Sequence, residues 1–430
     1  MTAINYSNTS LGNLTYTWDT NKNKKSESIG GVMSGYGFTN AGTTYDDEDR
    51  LTGYQRTNGA LSQSWNLTSV GDWNSVTTNG TAQSRTHGPT HELLTAGGQT
   101  VNTDVKGNIT LLPAVLASSL SPQASSLQWD FDNKLKSVDV GNNSSTDVEY
   151  KYDALGRRVA RVGSSGSFVY VQSDQQTIAD YGVGDAPSSP LYRYVYASYI
   201  DEPVVRKGAG TGGTIHYFHR NQQYSITAVT TSTGAIAERY AYSAYGEPTI
   251  CDASGSVIAS STINNRYTYT GREWDATVGL HHFRARWMSP RTGRFITRDP
   301  IVYEGSEWGL YEFVDGNSLS ALDPKGLSIF NPHPSVTRTI PYACIAPNWS
   351  NHFVAAGTCT CTFPPPNNSP LGGFFQTAAF ATCTEKACVA SIYSVCGQFY
   401  ASLMQPNEMG IKTQACLRAR FGAAVTCECT

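Results

Sequence analysis

From Tyr45 onward, short segments rich in Thr, Val and Tyr alternate with a polar phrase of seven residues, a rhythm that predicts strands joined by tight turns. The phrase runs aromatic, Asp, two variable residues, Gly or Asn, a basic or amide residue and an apolar one, or something close to it. It stands at Tyr45-Asp46-Asp47-Glu48-Asp49-Arg50-Leu51, Thr103-Asp104-Val105-Lys106-Gly107-Asn108-Ile109, Trp129-Asp130-Phe131-Asp132-Asn133-Lys134-Leu135 and Tyr152-Asp153-Ala154-Leu155-Gly156-Arg157-Arg158. A degenerate copy occupies Leu67-Thr68-Ser69-Val70-Gly71-Asp72-Trp73. Each phrase predicts a hairpin: an aromatic packs at the strand end, Asp takes backbone amides at the turn, Gly or Asn adopts positive φ, and the apolar residue restarts the next strand.

The clear copies lie 23 to 58 residues apart, which fits a period near twenty with some units eroded. One such hairpin cannot bury its apolar face, so the units must stack side by side into a continuing sheet. Residues 1–44 and 110–127 carry the pattern weakly and predict a ragged first strand pair and a loop insertion. Beyond Ser328 the pattern changes: Ile329 to Pro370 reads as Pro-rich loop and short strands. Gln376 to Gln405 reads as a helix, with Phe380, Cys388, Ile392, Val395, Phe399 and Leu403 near a 3.6-residue stripe. A second, shorter helix is predicted over Gly410 to Ala424.

Composition agrees with a mostly β chain, since 25 Tyr, 8 Trp, 40 Gly and 19 Pro are β and turn formers, and 39% hydrophobic residues suffice for real cores. Net charge is −3 with 15% charged residues, so there is no basic field to draw nucleic acid or an anionic membrane. Met1-Thr-Ala-Ile-Asn lacks a basic segment followed by an apolar run, and no window approaches the ~18–20 apolar residues of a spanning helix. The sequence therefore predicts neither an export signal nor a membrane anchor in the chain as given.

The repeated phrase resembles the YD repeat of RHS (rearrangement hotspot) proteins, and the segment from about Tyr192 to Leu327 resembles their repeat-associated core domain. Four stretches carry that second likeness in the expected order: Tyr240-Ala241-Tyr242-Ser243-Ala244-Tyr245-Gly246-Glu247-Pro248, Tyr267-Thr268-Tyr269-Thr270-Gly271-Arg272-Glu273-Trp274-Asp275, Leu280-His281-His282-Phe283-Arg284-Ala285-Arg286-Trp287 and Gly293-Arg294-Phe295-Ile296-Thr297-Arg298-Asp299-Pro300. Asp323-Pro324-Lys325-Gly326-Leu327 closes the series. The resemblance implies stacked antiparallel YD hairpins forming part of a curved shell (1–191), a core domain (192–327) and a small Cys-rich, α-containing C-terminal domain (328–430).

The resemblance also implies a reaction. In many bacterial members the core domain cuts the chain just after the Asp-Pro-x-Gly-Leu phrase and leaves the C-terminal polypeptide as cargo, which places the cut between Leu327 and Ser328. The family's catalytic pair carries over to Asp299 and Asp323, with Arg298 bracing the ionised partner or the strand. Two carboxyls held close cannot both ionise, so one stays protonated as acid while the other works as base. Taken without the family, both are equally turn formers before proline, as Asp315 is a turn residue in Val-Asp-Gly-Asn-Ser. His281 and His282, adjacent on a strand, face opposite sides, so they form no paired metal site and read as structural.

Past the seam, Cys344, Cys359, Cys361, Cys383, Cys388, Cys396, Cys416, Cys427 and Cys429 fall within 86 residues, a density that suits disulfides in an oxidising setting. Metal ligation and free buried thiols stay open as alternatives, and an odd count leaves one thiol over. His333, His352, Glu385, Lys386, Glu408, Arg418 and Arg420 have types that a nuclease or transferase uses, yet no spacing ties them together. No cofactor or metal is implied. The expected partners are the chain's own C-terminal domain as cargo, an immunity protein and delivery machinery, with secretion or surface display by analogy. Two other readings stand beside self-cleavage: a non-enzymatic surface or adhesion scaffold, and a truncated gene product with too few repeats to close a shell.

Overall fold

The computed structural model describes residues 1–120, 122–164, 166–210, 212–304 and 309–327 in full, and the backbone of the strands Val336–Ile345, Phe353–Phe363 and Thr426–Cys429. The chain forms two units, Met1–Ile329 and Phe330–Thr430.

The first unit is built of antiparallel strands laid down in sequence order. Ala3–Ile4, Leu14–Trp18 and Lys24–Ile29 make a three-stranded sheet; seven strands between Thr44–Tyr45 and Gln99–Thr100 make a second; fourteen strands from Asn102–Thr103 to Pro248–Cys251 make a third. Every hydrogen-bonded neighbour in these sheets is also a sequence neighbour. Isolated bridges from Glu27 to Phe38 and from Phe38 to Arg56 carry the pairing from the first sheet to the second. The third sheet runs unbroken across residue 192, where the sequence places the start of the core domain.

The repeated phrase forms the same turn each time. At Asp153 the Oδ1 atom accepts from the amides of Leu155 (2.9 Å) and Arg157 (2.9 Å), and Gly156 takes φ +73°. Asp46, Asp104 and Asp130 repeat both bonds, with positive φ at Asp49, Gly107 and Asn133. Where an aromatic precedes the turn, it ties that turn to the previous one. Tyr45 donates to the Lys24 carbonyl (2.8 Å), Trp129 to Ile109 (2.8 Å), Tyr152 to Leu135 (3.0 Å), Tyr196 to Thr177 (3.0 Å) and Tyr242 to Ile226 (2.6 Å).

Because each amide bond to a carboxylate contributes about 1 kcal/mol net, Asp153→Ala is expected to cost about 1–2 kcal/mol. A lowered urea midpoint with an unchanged slope is the expected reading.

The degenerate copy at residues 67–73 is such a turn, with the Thr68 hydroxyl accepting from the Asp72 amide. Other turns escaped the sequence reading because the Asp is replaced or the aromatic is degraded: Asn221 accepts from Gln223 and Ser225, Asp252 from Ser254 and Ser256, and the Ser243 hydroxyl from Glu247. Residues 110–127, expected as a loop insertion, hold a loop between two strands that continue the sheet: Ile109–Leu112 and Ser125–Trp129 pair, Leu111 with Ser126, the chain between them makes one short turn at Ala114–Leu116, and Leu112, Leu116 and Leu127 are buried in one core. The first forty-four residues likewise hold a full three-stranded sheet. Its strand Leu14–Trp18 buries Leu14 and Tyr16 against Ala241 and Cys251.

In the second unit Val336–Ile345, Phe353–Phe363 and Thr426–Cys429 form an antiparallel sheet, with strands longer than the sequence led us to expect. Pro341 lies on its edge strand, where a missing amide is tolerated. The two helices predicted over Gln376–Gln405 and Gly410–Ala424 lie outside the described residues. So do the side chains of the nine cysteines from Cys344 to Cys429, and of His333, His352, Glu385, Lys386, Glu408, Arg418 and Arg420. Cys251, the tenth cysteine, is a buried free thiol.

Candidate cleavage site

Four short strands follow the long sheets: β1 (Glu273–Asp275), β2 (Leu280–Phe283), β3 (Arg286–Ser289) and β4 (Arg294–Phe295), antiparallel in that order. Strand alternation sends their side chains to two cores. Phe283, Met288 and Phe295 join Trp65, Trp73 and Tyr245, while Leu280, Trp287 and Ile296 join Tyr150, Leu135 and Val148. Both faces are covered, so every residue of β2 and β3 is buried, polar ones included.

Burial on both faces dictates the chemistry, because each buried charge then needs a partner. Arg286 finds two. Its Nη2 lies 2.8 Å from Asp299 Oδ2 and 3.5 Å from Asp323 Oδ2. Its Nε donates to the Gly326 carbonyl (2.5 Å), and its guanidinium sits 3.6 Å from the centre of the Phe295 ring. Asp299 is 5% and Asp323 3% exposed, so the pair nominated from the sequence is brought to one buried cation.

Asp323 grips the chain just downstream, with Oδ1 accepting from the amides of Gly326 (2.8 Å) and Leu327 (3.1 Å). Gly326 has φ +67°, and a Cβ there would run into the Phe283 carbonyl oxygen, so the segment takes this course only with glycine. Asp299 Oδ1 accepts from the Ile301 amide (3.0 Å). Burial pushes the Asp299 carboxyl up to about 6; Arg286 and the Ile301 amide pull the other way, and Asp323 adds a smaller upward push. The proton on Asp299 is therefore held mainly by desolvation rather than by carboxylate repulsion, the reason offered from the sequence.

Arg298 does not brace either aspartate. Its Nε donates to Tyr311 Oη (3.2 Å) and its Nη2 to Thr90 Oγ1 (3.0 Å), with Glu92 at 3.6 Å. Both residues lie beyond β4, where the Arg298 side chain goes to Tyr311 and Thr90 while that of Asp299 goes to Arg286, which fills the expected place. Two arginines flanking Ala285 inside an otherwise aromatic buried phrase were the available signal: neither has an acid near it in sequence, so each must find one far away. Leu327 ends the fully described segment, and Ser328 lies outside it.

Asp315 sits in a turn with Val314, Asp315 and Gly316 all at positive φ. His281 and His282 point to opposite faces, His281 Nε2 donating to the Gly246 carbonyl (2.9 Å) and His282 packing on Trp287 at 4.8 Å. Among the described residues no group of three His, Cys, Asp or Glu is placed to hold a metal ion, and no helix is long and apolar enough to cross a membrane.

Sequential hairpins locked by recurring Asp turns, ending in a buried insert that holds an Asp–Arg–Asp cluster, define a YD-repeat protein. The Teneurin YD-shell profile matches residues 3–307, and the chain belongs to that family. Among curated proteins it is 27% identical over 203 residues to the tRNA nuclease WapA of Bacillus subtilis, spanning 46% of this chain and 8% of that one. It is 26% identical over 203 residues to the double-stranded DNA deaminase toxin A of Burkholderia cenocepacia, spanning 42% of this chain and 14% of that one. The chain thus spans only a small part of the length of these relatives. The solved TcdB2-TccC3-Cdc42 structure aligns with 74% of this chain and 20% of its own at 17% identity, with a TM-score of 0.37.

Proposed function

We propose that this chain is part of a toxin of the YD-shell type, whose core domain cleaves its own backbone between Leu327 and Ser328 and frees the residues beyond as an effector. The observation that carries the reading is the Asp299–Arg286–Asp323 cluster, with Asp323 holding the amides of Gly326 and Leu327 beside the bond in question. The reaction is single-turnover, because the substrate is the chain itself. Relatives named as a nuclease and a deaminase toxin support an effector role for the C-terminal part. The finer arrangement, a curved shell around that cargo with an immunity protein and export of the whole, belongs to the same reading.

The chemistry follows from the two carboxyls. Asp323 takes a proton from water, whose oxygen adds to the Leu327 carbonyl carbon, while Asp299 gives its proton to the carbonyl oxygen. When the tetrahedral carbon collapses, the hydroxyl proton returns to Asp299, the C–N bond breaks, and the proton on Asp323 passes to the departing Ser328 amine. Leu327 is left as a carboxylic acid. Arg286 lies between the two groups and offsets the negative charge that builds there.

Freshly expressed protein tests this on a denaturing gel with intact-mass measurement: two fragments meeting at Leu327 and Ser328 are expected. An intact 46.5 kDa chain would favour the scaffold reading, in which Arg286 and its two aspartates form a purely structural ion cluster. The rate also carries a pH signature. Asp299 must keep its proton and does so below about pH 6, so cleavage is expected to rise roughly tenfold from pH 7 to pH 5. Stability moves the same way: the folded state binds a proton that the unfolded chain gives up between about pH 4 and pH 6, so acidification through that window stabilises the fold.

A further inference from the structure

The Asp299–Arg286–Asp323 cluster sits beside a second buried ion network that reaches the same segment from the repeat sheet. Asp201 lies in the turn between the strands Tyr192–Tyr196 and Pro203–Gly208, inside the fourteen-stranded sheet. It is 2% exposed. Its Oδ1 accepts from Arg272 Nη1 (2.6 Å) and Arg284 Nη2 (2.7 Å), and its Oδ2 lies 3.3 Å from Arg284 Nη1. Arg284 is bound on three sides: to Asp201, to the Gln175 carbonyl through Nε (3.0 Å), and to the Pro324 carbonyl through Nη1. One guanidinium therefore joins two turns of the repeat sheet to the segment that leads into Leu327.

The backbone of Arg284 is an independent sign. Phe283 pairs with Arg286, so Arg284 and Ala285 form a two-residue hairpin between β2 and β3. Arg284 has φ +58°, a conformation for which such turns prefer glycine. A side chain kept at a strained position that glycine would relieve points to a task for that side chain. The same hairpin tip bonds the segment again, since the Ala285 amide donates to the Lys325 carbonyl (3.2 Å). Pro324 and Lys325 are thus held by successive residues of the tip, immediately before Gly326 and Leu327 are held by Asp323.

We infer that Asp201 and Arg284 are positioning residues that make the geometry of the Asp323–Leu327 segment conditional on assembly of the repeat sheet. Neither group touches the proposed reacting atoms. Asp201 aims Arg284, and Arg284 fixes the Pro324 carbonyl one turn upstream of the bond. The chain then becomes competent for cleavage only once the strands on both sides of Asp201 have paired, which keeps the C-terminal region attached until the sheet has formed. This inference rests on the self-cleavage reading for its purpose, but the clamp itself is measurable without any cleavage.

The test uses the full chain carrying Asp299→Asn, so that the bond stays whole, with and without Asp201→Asn. Hydrogen exchange at the Gly326 and Leu327 amides is expected to quicken at least tenfold in the double variant, while the Leu155 and Arg157 amides of a remote repeat turn keep their rates. Arg284→Met serves as the second variant and is expected to act alike, whereas Asp201→Glu is expected to restore most of the protection. Unchanged exchange at Gly326 and Leu327 overturns the clamp, as does a quickening that spreads equally to Leu155 and Arg157. In the chain with Asp299 intact, Asp201→Asn is expected to slow cleavage at least tenfold without moving its pH midpoint. If the unsubstituted chain proves uncleaved while the exchange result holds, the self-cleavage reading falls and the clamp stands.

Discussion

Full-length Asp299→Asn protein is expected to run as one intact 46.5 kDa chain under conditions in which the unsubstituted protein has separated at Leu327. The loss should reach about a thousandfold or more in rate, since a group acting directly on the reacting bond is removed and no neighbour can replace it. Asparagine nearly preserves the shape and can keep the bond to the Ile301 amide, so folding should be little changed. What it removes is the transferable proton, and with it the rise in rate on acidification. A variant that still cleaves at a comparable rate would deny Asp299 the acid's role. The intact chain should be compared at the same age and pH as the cleaved one, because a single-turnover reaction is read from how much chain has reacted.

The second large effect is expected at Phe295. Its ring lies edge-on to Phe283 (5.8 Å) and Phe313 (5.6 Å), fully buried, and it also forms the floor under the Arg286 guanidinium. Phe295→Ala should therefore cost about 3–5 kcal/mol of stability through the lost apolar contact and the cavity left behind. It should also slow cleavage well beyond the stability loss, because Arg286 would no longer be fixed between its two aspartates. Phe313→Ala removes a ring of the same cluster other than the one under the Arg286 guanidinium, so it should match the stability loss with a smaller change in cleavage. Denaturant midpoints and cleavage rates measured on both variants separate packing from positioning; equal rate losses would sink the idea that the Phe295 ring holds the arginine.

The repeat was legible because its turn is local. An Asp that bonds amides two and four residues ahead, and a residue at positive φ, leave their mark within five positions, so Asp46, Asp104, Asp130 and Asp153 stood out. Turns such as those at Asn221 and Ser243 perform the same service with other side chains, and the phrase dissolves although the geometry stays. Asp299 and Asp323 were reached only through the family phrases, since an Asp before Pro has an ordinary local use. Arg286 and Arg284 could not be assigned by spacing, because their partners lie from 13 to 83 residues away in the chain and become partners only after the sheets close over them. Arg298 was misplaced for the converse reason: proximity along the sequence was taken for proximity in space, and beyond β4 the two neighbours send their side chains to different partners.

The bond from each opening aromatic to the carbonyl just past the preceding turn has a consequence for how such chains change in length. Tyr152 reaches Leu135, and Tyr45 reaches Lys24, so each fastening spans one interval of repeat and no more. Gain or loss of a whole interval re-creates the same fastening at the new junction, whereas a change of one residue inside a strand moves the aromatic off its carbonyl and turns the rest of that strand to the other face. Within the long sheet, variation should therefore arrive in steps of about twenty residues, and the wider gaps between clear phrases are intervals whose turns, such as that at Asn221, use other side chains.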